Sequence, residues 1–98
     1  MKNYRELIKL INNFMKTPYH QGATDTFCNE YMDMFYNMCE ELQRELPSKI
    51  YNILDEINWI CDSYEEDEAI RSTDSYCIDE NILREKIKNI IKRTDIKI

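Results

Sequence analysis

The 98-residue sequence is poor in the residues that β-sheet proteins use at their turns. It contains one glycine (Gly22), two prolines (Pro18 and Pro47) and no valine. A protein built from hairpins needs several glycine or Asn-Gly turns, and no Asn-Gly pair occurs here. The scarcity of these residues argues against a β fold.

The sequence also lacks a long apolar run. A membrane span needs about 18 consecutive apolar residues, and the start of the chain is not followed by a signal-peptide core. Charged residues make up 33% and hydrophobic residues 43% of the chain, as in soluble globular proteins. Because a chain of this size buries only about 60–65% of its unfolded surface, it has room for one modest core. We expect one cytoplasmic domain over residues 1–98.

Residue types that support catalysis are scarce. The single histidine, His20, lies in an expected loop, where a lone histidine is more often a bystander than a general base. The Glu-x-x-His pairs of a di-iron site are missing, and one glycine cannot form a phosphate-binding loop. The sequence therefore predicts neither an enzyme nor a cofactor.

The four cysteines do not have metal-site spacing. They form no C-x-x-C pair, and His20 is not placed to join them, so we expect no metal site. Cys28, Cys39 and Cys61 fall on apolar stripes, which favours reduced core cysteines over a disulfide.

Apolar residues recur every three or four positions and predict four helices. Pro18 ends the first helix and Pro47 interrupts the chain after the second. We expect Thr24 or Thr26 to cap the second helix and Asp79 to cap the last. Four such helices with short connections predict an all-α fold, a small antiparallel four-helix bundle. The expected core positions, helix by helix, are Tyr4, Leu7, Ile8, Ile11, Phe14 and Met15; Phe27, Cys28, Tyr31, Met34 or Phe35, Met38, Cys39, Leu42 and Leu46; Ile50, Ile53, Leu54, Ile57, Ile60, Cys61 and Tyr64; and Ile82, Leu83, Ile87, Ile90 and Ile91.

The net charge of −6 is concentrated in one segment. Residues 62–80 contain eight acidic residues and one arginine, a net charge of −7, whereas the other residues sum to +1. Such a run is usually a solvated surface. A calcium loop is the second interpretation, but residues 62–68 lack the twelve-residue pattern with its central glycine. The third is a surface that attracts a basic partner and competes with nucleic-acid phosphates for it.

Trp59 lies on the same side of the third helix as Asp55, Glu56 and Asp62. Either a second core face extends to this tryptophan, or it is exposed among acidic residues. Exposed tryptophan beside charges is common at interaction hot spots. Both alternatives stay open at the level of sequence.

An ordered set of residues between positions 57 and 87 points to a family. An apolar helix ends in an acidic residue, and after one further residue an aromatic residue and an acidic turn follow. An arginine comes next, and then a helix cap with the pattern aromatic-x-Ile-Asp-acidic. The last helix then contains a leucine followed directly by a basic residue. These positions are Asp62, Tyr64, Asp67, Arg71, Tyr76, Ile78, Asp79, Glu80, Leu83 and Arg84. Their order and spacing resemble the colicin D immunity family of bacterial self-protection proteins. The resemblance covers about a third of the chain, and the first half agrees only coarsely.

This resemblance implies a four-helix protein that binds the C-terminal nuclease domain of a cognate toxin in a 1:1 complex, with no direct contact to nucleic acid or membrane. In the family the toxin is similar to an anticodon-loop tRNase, and acids of the inhibitor occupy its basic tRNA-binding cleft. The toxin is either a secreted colicin or a contact-dependent inhibition protein. The predicted partner-binding residues are Asp62, Glu65 and Asp67 by resemblance, Glu66 and Glu68 by the charge pattern, and their neighbours Trp59, Asp55 and Glu56.

The alternative is a helical regulatory module that binds another protein and has no toxin target. Its functional surface would then be the basic last helix, since residues 84–98 carry a net charge of +4. Such charge can contact nucleic acid, although it more often balances a helix dipole. An upstream gene that ends in a basic nuclease-like domain would favour the toxin inhibitor.

Overall fold

Five α-helices dominate the computed structural model of the protein, which describes residues 2–18 and 22–94. Their bounds are α1 Lys2–Lys16, α2 Ala23–Glu45, α3 Ser48–Ser63, α4 Glu68–Arg71 and α5 Glu80–Thr94. Within those described ranges there is no β-strand, only one isolated bridge between Tyr64 and Ile78. The all-α prediction is confirmed, whereas the antiparallel arrangement of four helices stays a prediction. The one-turn helix α4 was not predicted as a helix.

The core is built around α2, which packs against α1 on one side and α3 on the other, while α5 packs against α3. A series of aromatic rings crosses it. Phe14 of α1 stacks on Phe27 of α2 with 4.1 Å between ring centroids, and Tyr31, Phe35 and Tyr51 continue the series. Large buried rings of this kind supply much of the apolar area that stabilises a small core.

Most of the predicted apolar positions lie in this core, because helical spacing brings them to one face of each helix. Cys28 and Cys61 are buried there, and all four cysteines carry free thiols. No helix of the described part of the chain is long and apolar enough to cross a membrane. The predicted loop histidine, His20, lies outside the described residues, as do the last four residues of the basic C-terminal segment.

One predicted core position was wrong. Ile82 is 44% exposed, and the neighbouring Leu83 takes the buried position at the start of α5. Tyr64 lies just after the end of α3 at Ser63 rather than in the helix, but it is half-buried against the core as predicted, and it forms the bridge to Ile78.

The helix caps were predicted correctly at one helix and wrongly at another. The carboxylate of Asp79 accepts a hydrogen bond of 2.9 Å from a backbone N–H in the first turn of α5, as expected of a cap. Neither Thr24 nor Thr26 caps α2. Its cap is Gly22, whose φ of 82° is a left-handed conformation that favours glycine. Thr24 is buried, and its hydroxyl donates a hydrogen bond to the carboxylate of Glu80.

Candidate partner-binding surface

The outer face of α3 carries three of the predicted site residues. Asp55, Trp59 and Asp62 are spaced by four and three residues, so they lie on one face of the helix. Trp59 is 61% exposed, and the structure therefore decides between the two alternatives in favour of an exposed tryptophan. Asp62 is exposed beside it and Asp55 is half-buried.

A groove of about 400 Å³ runs between α2 and α3 and includes this tryptophan. We call it the aromatic groove, and its lining includes Met32, Tyr36 and Cys39 of α2 with Tyr51, Trp59 and Asp62 of α3. Tyr36 is 79% exposed and was not among the predicted site residues. The feature of the sequence that could have indicated Tyr36 is that it is an aromatic residue outside the apolar stripe of α2. Cys39, predicted as a core residue, is only partly buried because it lines this groove.

The acidic segment after α3 is closed on itself by backbone hydrogen bonds. The N–H of Ile78 donates to the carbonyl of Ser63 at 2.8 Å, and the N–H of Glu65 donates to the carbonyl of Ile78 at 3.1 Å. Arg71 completes the closure, since its Nη1 donates to the carbonyls of Glu65 at 2.6 Å and Glu66 at 3.0 Å. The segment's only basic side chain thus holds the backbone of the acidic turn together.

Several carboxylates of the segment order its backbone. Asp67 caps α4 by accepting a hydrogen bond of 2.8 Å from the N–H of Ala69. Glu65 accepts one of 3.2 Å from the N–H of Asp67, and Asp74 accepts one of 2.9 Å from the N–H of Tyr76. The sequence alone does not distinguish these structural carboxylates from those available to a partner.

Among the predicted site residues of the acidic segment, Asp62, Glu66 and Glu68 have exposed carboxylates that make no hydrogen bond to its backbone. Asp62 is oriented by Tyr76, whose hydroxyl donates to Oδ2 at 2.9 Å. Partial burial and then this hydrogen bond raise the pKa of Tyr76 above the ordinary value of a phenol. The hydroxyl therefore stays a neutral donor at physiological pH. Tyr76 was not among the predicted site residues, although it belongs to the motif that carries the resemblance.

Two further acids are engaged inside the molecule. The carboxylate of Glu80 accepts a hydrogen bond from the hydroxyl of Thr24 and lies 3.5 Å from Nε of Arg84. The guanidinium of Arg84 in turn stacks over the ring of Phe14, 4.1 Å from its centroid. Glu56, a predicted site residue, pairs with Arg93 of α5 at 2.9 Å, with both side chains largely exposed. Glu80 therefore contributes to the packing between helices, while Glu56 remains accessible to a partner at the edge of the surface.

The charges of the chain are divided unevenly among its helices. Residues 23–79 hold fifteen of the nineteen acidic residues and three of the thirteen basic ones, a net charge of −12. The helices α1 and α5 each carry a net charge of +3. We call residues 23–79 the acidic side, and α1 with α5 the basic side. The net charge of +1 outside residues 62–80 is therefore a sum in which the negative charge of α2 offsets the positive charges of α1 and α5.

The described residues contain no group of three or more histidine, cysteine, aspartate or glutamate side chains arranged to hold a metal ion. The candidate site is a surface of carboxylates and aromatic rings: Trp59 and Asp62 on the outer face of α3, with the aromatic groove beside them, and Glu66 and Glu68 in the segment that follows.

Exposed tryptophan and tyrosine rings, such as those of Trp59 and Tyr36, are typical of surfaces that bind a protein partner. A protein-family model described as bacterial self-protective colicin-like immunity matches residues 3–94, and the chain belongs to that family. No curated protein and no solved structure matches the chain. Membership indicates a toxin-inhibiting immunity protein that binds a cognate toxin.

Proposed function

We propose that this protein inhibits the nuclease domain of its cognate toxin, a tRNase, by placing acidic residues in the cleft that binds RNA. It acts stoichiometrically, as one non-catalytic domain with an antiparallel four-helix arrangement, in a 1:1 complex in the cytoplasm of the cell that makes it. The toxin belongs to a colicin-type or a contact-dependent system. The observation that carries the proposal is the set of exposed carboxylates, Asp62 on the same face of α3 as the exposed Trp59 and Glu66 and Glu68 in the segment that follows, in a chain of the immunity family.

Electrostatics supports a nuclease as the target. An RNA-binding cleft is lined by lysine and arginine side chains that contact phosphates, and carboxylates attract the same side chains. The net charge of −12 over residues 23–79 steers such a cleft toward this side of the molecule and raises the association rate.

Order in the acidic segment supports inhibition by a preformed surface. The hydrogen bonds of Arg71, Asp67 and Glu65 fix the backbone that carries Glu66 and Glu68. Binding then requires little further ordering of the chain, and ordering is one of the main costs of association. In this proposal Glu65 and Asp67 contribute charge to the binding surface and also shape the turn, while Asp55 and Glu56 lie at its edge.

The test is a tRNA cleavage assay with the nuclease domain encoded upstream, in the presence of increasing amounts of this protein. We expect cleavage to stop at one equivalent. The double variant Asp62→Lys with Glu66→Lys should raise the inhibitor concentration needed by a hundredfold or more, because reversed charges oppose the basic cleft. Asp67 is left unchanged because a lysine there would also remove the cap of α4.

The matched control is Glu6→Lys with Glu85→Lys, two exposed acids on α1 and α5 whose replacement changes the net charge equally. It should inhibit like the unaltered protein, and far-ultraviolet circular dichroism should show that both double variants stay helical. Full inhibition by the Asp62 and Glu66 variant would contradict the assignment of the surface. A partner without nuclease activity would contradict the target.

A further inference from the structure

We propose that the aromatic groove receives an arginine side chain of the basic partner, with its guanidinium against Trp59 and hydrogen-bonded to Asp62. The identity of the partner rests on the proposed function. The chemistry of the groove is argued from the groove itself.

The groove combines exposed aromatic rings with an apolar floor. Tyr36 and Trp59 are 79% and 61% exposed, although both are large rings that a stable core would normally cover. Between them lie partly buried side chains, including Met32 and Tyr51. A volume of about 400 Å³ accommodates the extended methylene chain and planar head of one long side chain.

Charge complementarity selects a cation as the occupant. The stretches that line the groove, residues 32–39 of α2 and residues 51–62 of α3, contain four acidic residues and no lysine or arginine. Asp62 lies in the lining itself, and Tyr76 occupies only one of its carboxylate oxygens. Because a carboxylate has about four acceptor sites, Asp62 can still accept hydrogen bonds from an incoming donor.

The combination of ring and carboxylate favours arginine over the other occupants. A guanidinium is planar, stacks on aromatic faces and presents several N–H donors to a carboxylate, whereas a lysine ammonium is a strongly hydrated point charge. A purely apolar side chain would cover Asp62 without supplying a hydrogen bond, which is unfavourable for a charged group. The arginine head can contact the ring of Trp59 and donate to the carboxylate of Asp62 at once, since both side chains lie on the same face of α3.

Trp59 is the only tryptophan of the chain, so its fluorescence reports on the groove directly. The test titrates the full-length protein with hexa-arginine and with hexa-lysine at the same ionic strength. We expect hexa-arginine to change the emission of Trp59 and to bind about tenfold more tightly than hexa-lysine. Equal affinity and equal spectral change for the two peptides would overturn the proposal.

Two variants locate the binding. Tyr36→Ala and Asp62→Asn alter exposed residues, so the fold should be retained, and each should weaken the hexa-arginine affinity by about tenfold. The control is Glu85→Gln, which removes the same charge as Asp62→Asn from α5. Its titration should match that of the unaltered protein. Unchanged affinity in both groove variants would overturn the proposal.

The toxin domain separates this proposal from the proposed function. If the nuclease domain binds the unaltered protein and Tyr36→Ala with the same affinity, the groove proposal fails and the inhibitor function stands. If no nuclease domain binds while the hexa-arginine titration shows the expected pattern, the proposed target fails and the groove proposal is supported.

Discussion

The acidic side and the basic side of the molecule use their charges in different ways. On the basic side, Arg84 stacks on Phe14 and lies beside Glu80, so a charged side chain contributes to the packing of α5 against α1. On the acidic side, Arg71 donates hydrogen bonds to the backbone carbonyls of Glu65 and Glu66, and neighbouring carboxylates are exposed to solvent. The comparison shows that the net charge of −6 describes neither side. It is the sum of a net charge of −12 on the acidic side and a net charge of +3 on each of the two helices of the basic side.

The largest expected effect distinguishes the two faces of α3. Leu54 is fully buried, and Leu54→Ala should lower the free energy of unfolding by about 2–5 kcal/mol because it leaves a cavity in the shared core. Trp59→Ala, on the exposed face, should cost less than about 1 kcal/mol while it weakens toxin binding. Urea unfolding and titration with the toxin domain measure the two quantities. A loss of stability at Trp59 as large as that at Leu54 would show that the tryptophan is structural.

A smaller effect tests whether Arg71 holds the acidic segment. Arg71→Met removes two hydrogen bonds to carbonyl groups and should lower the free energy of unfolding by about 1–2 kcal/mol. Amide hydrogen exchange at Glu65 and Ile78 should become faster, since the loop closes through these residues. The control is Arg93→Met on the exposed face of α5. If exchange at both amides were as slow as in the unaltered protein, Arg71 would not be what holds the turn.

The buried hydroxyl of Tyr31, at the contact between α2 and α3, should make the free energy of unfolding fall at alkaline pH. Tyr31 is buried, its hydroxyl donates to the carbonyl of Leu54 at 2.8 Å, and burial raises its pKa well above the ordinary value. A raised pKa means that the folded state holds the phenolic proton more tightly than the unfolded chain. The stabilisation is therefore complete below about pH 10 and is lost as the pH rises above it, by about 1.4 kcal/mol per pH unit.

Urea unfolding of the unaltered protein and of Tyr31→Phe at pH 9 and pH 11 measures this contribution. Phenylalanine has no proton to lose, so the variant should lose less stability between the two pH values. Equal losses in the two proteins would mean that Tyr31 ionises as easily in the folded as in the unfolded state.

The smallest expected effect concerns the ion pair that joins the two sides. Glu56 and Arg93 are 2.9 Å apart with 47% and 63% of their side chains exposed, so Glu56→Gln should change the free energy of unfolding by less than about 1 kcal/mol. Thermal unfolding at low and high salt measures it. A change above 2 kcal/mol would show that this pair, rather than the core, holds α5 against α3.

Much of the fold follows from local patterns in the sequence. The spacing of Leu7, Ile11 and Phe14, and that of Leu54, Ile57 and Cys61, predicted helices whose buried faces the structure confirms. The cap of α2 was not predictable in the same way. A threonine at position 24 is typical of a cap, but Gly22 adopts the left-handed conformation and Thr24 contacts Glu80, which is 56 residues away.

The candidate site was predictable in composition more than in arrangement. The run of acids was evident from residue counts, but counts do not tell that Asp67 caps a helix while Glu66 and Glu68 do not. The exposure of Trp59 depends on how far the core extends around α3, which local spacing leaves open. Tyr36 joins the surface only because α2 packs beside α3.

The central claim is that the acidic side binds a basic nuclease domain, and the most direct measurement is the association rate constant of that complex at low and high salt. We expect the rate of the unaltered protein to fall by tenfold or more as salt screens the attraction. Asp62→Lys with Glu66→Lys should associate slowly at low salt and lose most of the salt dependence, while Glu6→Lys with Glu85→Lys keeps it. Equal rates and salt dependence in the two double variants would contradict the claim.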